Sequence, residues 1–290
     1  MEDFCLMTDS SCDLPEDLVR EMELSVLPLS VHMGGQTFRN WPDGREISFA
    51  SFYSRVRAGE MPTSSAVSVG DFEEEMEKNL ELGLDILCIA FSSGLSSTYQ
   101  SAAIAASHLR PRFPERRVEV VDSLCASGGQ GLLVWLCDQQ RRAGKSFQEI
   151  LAYAEQTKGH IAHWFTVDDL NHLKRGGRIN AAAAFFGTML AIKPVLHVDD
   201  IGKLVNVDKA RGRKASLLAL VDRMEQSAVN PRDQTVFITH GDCLSDAEFV
   251  AEEIRRRFGT SAFHISFVGP VIGTHSGPGT LALFFLARER

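Results

Sequence analysis

The chain has 290 residues, 44% of them hydrophobic and 23% charged, with a formal net charge of −8. A chain of that size can bury a sizeable core without a disulfide or a metal, as one large domain or two modest ones. The acidic balance argues against nucleic acid as a partner, because phosphate binding wants a basic face, and no apolar run approaches the roughly 18–20 residues of a stable membrane insertion.

The first residues, Met1-Glu-Asp-Phe-Cys5, are acidic and run straight into an apolar segment, unlike a secretory signal. Six cysteines are present: Cys5, Cys12, Cys88, Cys125, Cys137 and Cys243. None forms a C-x-x-C pair, so reduced thiols and a cytoplasmic location are expected.

In chain order, residues 4–8 read as a strand. Residues 14–22 read as a helix capped by Asp13, with Pro15 in its first turn. Residues 24–31 read as a strand that Pro28 marks as an edge. Helices are expected over 49–57 and 71–82, a buried parallel strand over 85–91, and an Ala-rich helix over 98–109. A strand over 118–121 and a helix ending near 142 complete a βαβα rhythm.

The second half changes character. A strand over 161–167, a short helix over 170–174 and the basic turn Lys174-Arg-Gly-Gly-Arg178 come first. A small apolar helix over 181–191 follows. Strands over 192–198 and 204–207 flank the hairpin turn Asp199-Asp-Ile-Gly202. Amphipathic helices over 214–226 and 247–258 alternate with strands over 234–240 and 263–271. The expected class is α/β with two α/β domains, residues 1–160 and 161–290, and a ligand between them. The first domain is expected to be a Rossmann-like parallel sheet with helices on both faces. The second is expected to be a mixed sheet with helices.

Hydroxyl-rich turns follow the C-terminal ends of the expected strands, where open α/β sheets bind ligands. They include Thr8-Asp-Ser-Ser-Cys-Asp13, Ser92-Ser-Gly-Leu-Ser-Ser-Thr98 and Asp122-Ser-Leu-Cys-Ala-Ser-Gly128, with Pro62-Thr-Ser-Ser65 ahead of a helix. Hydroxyls and free N–H groups at helix starts suit an anion. Ser96 stands where it could face such a ligand or simply cap its helix. Enzyme motifs fit poorly. Gly144-Lys-Ser146 lacks the leading glycine of a P-loop, and too little chain follows Gly277-Pro-Gly-Thr-Leu-Ala282 for a dinucleotide-binding βαβ unit. His160 with His163, and His240 with Cys243, match no zinc spacing. Ser96 and His275 could be activated together, but no third, orienting carboxylate is evident. Arg178 and Arg211 lie in basic turns suited to solvated charge or to docking an acidic partner.

Taken in order, these turns resemble the DegV family. The matching stretches include Thr8-Asp-Ser-Ser-Cys-Asp-Leu-Pro15, Pro62-Thr-Ser64, Ser92-Ser-Gly-Leu-Ser96 and Leu173-Lys-Arg-Gly-Gly-Arg-Ile179. Lys209-Ala-Arg-Gly-Arg-Lys-Ala215 and Val271-Ile-Gly-Thr-His-Ser-Gly-Pro-Gly279 extend the likeness over nearly the whole chain. The resemblance implies a non-enzymatic carrier with a long-chain fatty acid, such as palmitate or oleate, in an interdomain tunnel and no other cofactor. It implies that Thr63, Ser96, Ser93, His275 and Arg211 surround the carboxylate. It also implies presentation of the acyl group to a separate ATP-binding fatty acid kinase subunit, with Arg178 and Arg211 as docking residues. Phe185, Phe186, Met189, Leu190 and Ile192 are expected to form either plain core or a tunnel wall. Pro62-Thr-Ser-Ser-Ala-Val-Ser68 stands where the family commonly has P-T-S-Q-P-S, and Ser97 where Gly is usual, which bears on acyl-chain preference. The alternative is a hydrolase or transferase acting on a small carboxylate or phosphate at the same cleft.

Overall fold

The computed structural model describes residues 4–179 and 192–290. In the first half the elements run β1 (Phe4–Asp9), α1 (Glu16–Glu21), β2 (Ser25–Leu27), β3 (Ser30–Met33), β4 (Gln36–Arg39), α2 (Phe49–Arg57), β5 (Thr63–Ser65) and α3 (Val69–Glu81). They continue with β6 (Asp85–Ala90), α4 (Thr98–Leu109), β7 (Val118–Asp122), α5 (Gly128–Arg142) and α6 (Phe147–Thr157). Then come β8 (Ile161–Thr166), α7 (Asn171–Arg175), β9 (Ile192–Val198), β10 (Leu204–Arg211) and α8 (Arg213–Ser227). β11 (Thr235–His240), α9 (Leu244–Phe258), β12 (Ala262–Phe267), α10 (Pro270–Ser276) and β13 (Leu281–Leu286) close the chain.

The architecture is α/β. A four-stranded parallel sheet has the order β2-β1-β6-β7. Its central strands, β1 and β6, are buried along their whole length and read as near-continuous apolar runs because both faces are covered. Phe4 and Leu6 pack on one side with residues of α1, α5 and α6, while Cys5 and Met7 pack on the other with residues of α2, α3 and α4. A six-stranded mixed sheet has the order β10-β9-β8-β13-β11-β12, parallel only between β11 and β12. A small antiparallel sheet, β4-β3-β5, stands beside them.

Helix α5 ties the two large sheets together. Its first turns are glycine-rich because there is no room for side chains: a β-carbon at Gly129 would overlap the His163 ring, and one at Gly131 would meet the Cys12 carbonyl. One apolar cluster accordingly runs from Leu6 and Leu87 of the parallel sheet through Leu133 of α5 to Phe237 and Phe284 of the mixed sheet.

Several expectations need correction. The strand expected over 24–31 is two strands in different sheets, parted at Pro28, which cannot donate to a ladder. Asp13 does not cap α1. It adopts a left-handed backbone, and its carboxyl group turns into the protein. Lys209–Arg211 end β10, so the basic turn shrinks to Gly212. β4 and β5 are additional short strands, with β4 joined to β3 across Gly34-Gly35, both at positive φ as a tight hairpin requires. The segment after Gly279 is a central strand, β13, paired on both edges. Gly144, at φ +79, ends α5, and Ser146 opens α6 through a capping box with Glu149, which accounts for the Gly-Lys-Ser run. The expected helix over 181–191, with Phe185, Phe186, Met189 and Leu190, lies outside the described residues, while Ile192 begins β9.

Among the described residues no helix is long and apolar enough to cross a membrane. All six cysteines are free thiols, five of them buried.

Candidate functional site

The turns at the C-terminal ends of β6 and β7, the strand β5, the end of α7 and the helix α10 enclose a cavity of about 260 Å³. Much of its wall is apolar, with Phe91, Leu95, Phe165, Val271, Ile272 and Phe284 contributing. Polar groups come from several elements: Ser64, Ser96, Ser97, Ser127, His163, Arg178, His275, Ser276 and Thr280. An apolar hollow with a small set of convergent polar groups is the ordinary form of a small-molecule site.

Strand alternation decides which residue of the Pro62-Thr-Ser-Ser turn reaches the cavity. Thr63 pairs with His32 and is exposed, whereas Ser64 pairs with the buried Val31 and lines the cavity. Ser64 Oγ lies 2.7 Å from His275 Nε2. The other ring nitrogen, Nδ1, is buried without a hydrogen-bond partner among the described residues. It packs against Gly176, where any β-carbon would overlap it. Burial first, then the nearby Arg178 cation, push the His275 pKa down to about 4. The imidazole is therefore neutral at pH 7. A proton on Nδ1 would be a stranded donor close to a cation, so the Nε2–H tautomer is favoured. Nε2–H then donates to Ser64 Oγ and leaves the serine hydrogen to point at a ligand.

Arg178 lines the same cavity, half-buried, rather than projecting from its turn. Its Nε donates to the Leu95 carbonyl at 3.2 Å and its Nη1 to the Gly176 carbonyl at 2.6 Å. Burial lowers its pKa. Ser96 also lines the cavity, and its hydroxyl stands 2.9 Å from Thr98 Oγ1 and accepts the Thr98 N–H at 3.2 Å, so it braces the first residue of α4 from one position ahead of the N-cap, Ser97. Ser93 is not in the lining; its N–H donates to Asp122 Oδ1 at 3.1 Å. Arg211 is exposed at the end of β10, outside the lining. The structure thus gathers Ser96, His275 and Arg178 at one cavity, and leaves Thr63, Ser93 and Arg211 out of its wall.

Ser64 is reached only by knowing the phase of a three-residue strand. Ser127 carries a stronger signal: it sits at φ 52, ψ −143, a region almost confined to glycine and costing about 1–3 kcal/mol. Its Oγ lies 2.5 Å from Asp13 Oδ2 and 2.9 Å from Thr239 Oγ1.

The opening turn, Thr8 to Asp13, contributes nothing to the lining and braces the site instead. Asp9 accepts from the Phe91 N–H at 2.8 Å and from Gln130 Nε2 at 3.2 Å, which orients the start of the Ser92–Thr98 turn. Asp13 Oδ1 accepts from the Gly269 N–H at 3.0 Å, at the start of α10. Burial pushes the Asp13 pKa up to about 8; its hydrogen-bond partners, Ser127 Oγ and the Gly269 N–H, bring no positive charge to offset it.

Comparison with known proteins sharpens the picture. Residues 3–288 match a family described as "Uncharacterised protein, DegV family". A DegV domain-containing protein of Clostridium perfringens is 43% identical over 286 residues, covering 99% of this chain and 98% of its own length. The structure of a DegV family protein from Thermus thermophilus, reported for its fatty acid binding, superposes with a TM-score of 0.87 at 30% identity, covering 98% of this chain and 99% of that one. The fatty acid kinase B3 protein of Streptococcus pneumoniae, loaded with linoleic acid, shares the fold at a TM-score of 0.85 and 20% identity, over 98% of this chain and 99% of its own.

Proposed function

The chain belongs to the DegV family, and on that premise we propose that it binds a long-chain fatty acid, with the ligand between units 1–160 and 161–290. The observation that carries this reading is the cavity itself: apolar walls, with Ser64, Ser96, neutral His275 and cationic Arg178 around one ligand-sized hollow. A fatty acid is a long apolar chain with one polar end. Burying its methylenes contributes about 0.8 kcal/mol each, so a 16-carbon tail gains on the order of 10 kcal/mol before ordering costs. The carboxylate must be hydrogen-bonded once it leaves water. In this reading Ser64 and Ser96 donate to it, His275 fixes the direction of the Ser64 hydroxyl, and Arg178 supplies compensating charge.

We take the protein as a carrier. A hydrolase built on Ser96 and His275 is disfavoured because the hydroxyl next to His275 is that of Ser64, and no described carboxylate orients Nδ1. Presentation of the acyl group to a separate ATP-binding kinase subunit is part of the proposal; the fold shared with the fatty acid kinase B3 protein is consistent with it. Arg211, exposed at the end of β10, suits such a docking surface better than a carboxylate contact.

Mass spectrometry of an organic extract of the natively purified protein tests the reading. A stoichiometric fatty acid is expected, lost from a Ser64→Ala/Ser96→Ala double variant and kept in Thr63→Ala. Failure to find lipid, and failure to load palmitate or oleate, would sink it.

A further inference from the structure

We propose that Ser276 is a further ligand-binding residue, donating its hydroxyl to the carboxyl group of the bound molecule. The proposal rests on the fatty-acid reading and deepens it. Three hydroxyls lie on or just after α10. Thr274 Oγ1 donates back to the Pro270 carbonyl at 2.8 Å, the usual resort of a helical hydroxyl, and Thr280 Oγ1 donates to the Gly277 carbonyl at 2.7 Å. Ser276 does neither. The residue is 4% exposed, its Oγ has no hydrogen-bond partner among the described residues, and it lines the cavity.

The other buried or half-buried hydroxyls of the wall differ from it. Ser64 is engaged with His275, Ser96 with Thr98, and Ser127 with Asp13. A hydroxyl buried without a partner is costly, and such groups in folded proteins call for a missing partner. Here the ladder of α10 offers one: the Ile272 carbonyl, four residues back, which the Ser276 hydroxyl declines. None of the described residues supplies the partner, and the cavity is where a ligand can bring one. A plain acyl chain has acceptors only at its carboxyl end, so the orphan hydroxyl marks where that end lies. His275, the preceding residue on the same helix, belongs to the polar group already assigned to the carboxylate. Ionised, a carboxylate offers about four acceptor sites, more than Ser64 and Ser96 fill.

The test is a titration of delipidated wild type and Ser276→Ala with laurate, myristate, palmitate and stearate, together with thermal melting of both proteins without ligand. A contact to the carboxyl group weakens every member of the series by the same factor, about ten-fold. Melting of the empty variant stays level or rises, since an unpaired buried group has been removed. A loss that grows with chain length, or no loss at any length, overturns the assignment. So does a variant that melts lower by the margin of a lost structural bond. Wild type that binds none of the four acids overturns the carrier reading instead, and this assignment falls with it.

Discussion

A single carboxyl group at Asp13 shows how burial is put to structural use. With its pKa raised to about 8, the group is mostly protonated at pH 7. One oxygen accepts from the Gly269 N–H, and the other stands 2.5 Å from Ser127 Oγ. The protonated acid can donate to Ser127, an arrangement that an amide reproduces atom for atom. Asp13→Asn is therefore expected to fold and to bind ligand like wild type. Asp13→Ala strands both partners and is expected to lose about 1–3 kcal/mol of stability. The sign of the pH effect follows from the raised pKa. Between the unfolded value of 3.8 and about 8 the native state holds a proton that the unfolded chain has released, so this group's contribution declines as pH rises. Denaturation of the Asn variant and wild type at pH 6 and pH 9 checks this: the variant should gain relative to wild type at the higher pH. An equal difference at both values would mean that Asp13 is already ionised.

At the scale of elements, what the sequence revealed depended on whether one segment carried its own signal. β6 was legible because a parallel strand covered on both faces reads as a near-continuous apolar run, and β7 through the valines Val118, Val120 and Val121. β13 was equally apolar, Leu281 to Leu286, yet the Gly-Pro-Gly turn before it drew attention as a ligand loop and hid the strand. β4 and β5 are short, polar and at the margin, so only their pairing defines them. The site divides in the same way. The turns bearing Ser96 and His275 stand out as runs of small and hydroxyl residues, but the inward phase of Ser64 is set by a tertiary ladder. Gly176 is the sharpest example. Its backbone, at φ −69, needs no glycine, and only the arrival of α10 makes a side chain intolerable there. Gly176→Ala should displace His275 and weaken fatty-acid binding by about ten-fold, the worth of a charge-assisted hydrogen bond. Gly159→Ala, in open space, should not. Titration in a His275→Ala background completes the cycle. If Gly176 acts through the ring, the loss shrinks there. A loss of the same size would place its effect elsewhere.

For the whole molecule, packing two large sheets through α5 and α10 buries imidazoles along with the apolar core. His163, His172, His197, His240, His264 and His275 are all pushed down, in each case chiefly by burial. Below pH 6.5 the unfolded chain protonates these rings while the native state resists. Each ring therefore contributes stability that rises with pH below 6.5, for His275 over the interval from about 4, by up to about 1.4 kcal/mol per unit for each proton of difference. Asp13, raised by burial, acts in the opposite sense from its unfolded value of 3.8 up to about 8, and burial raises Asp9 in the same direction. His275 and Asp13 offset each other between about 4 and 6.5, and the other five rings, against Asp9, tilt the balance toward a rise with pH. Above pH 6.5 the imidazole contribution is complete and only the carboxyl groups still change, so the curve bends over and declines gently. Urea midpoints measured from pH 5 to 8.5 should trace a maximum near pH 7. A curve that falls steadily from pH 5 would show that the carboxyl groups outweigh the histidines, and that the rings are less thoroughly removed from water than their packing between the sheets requires.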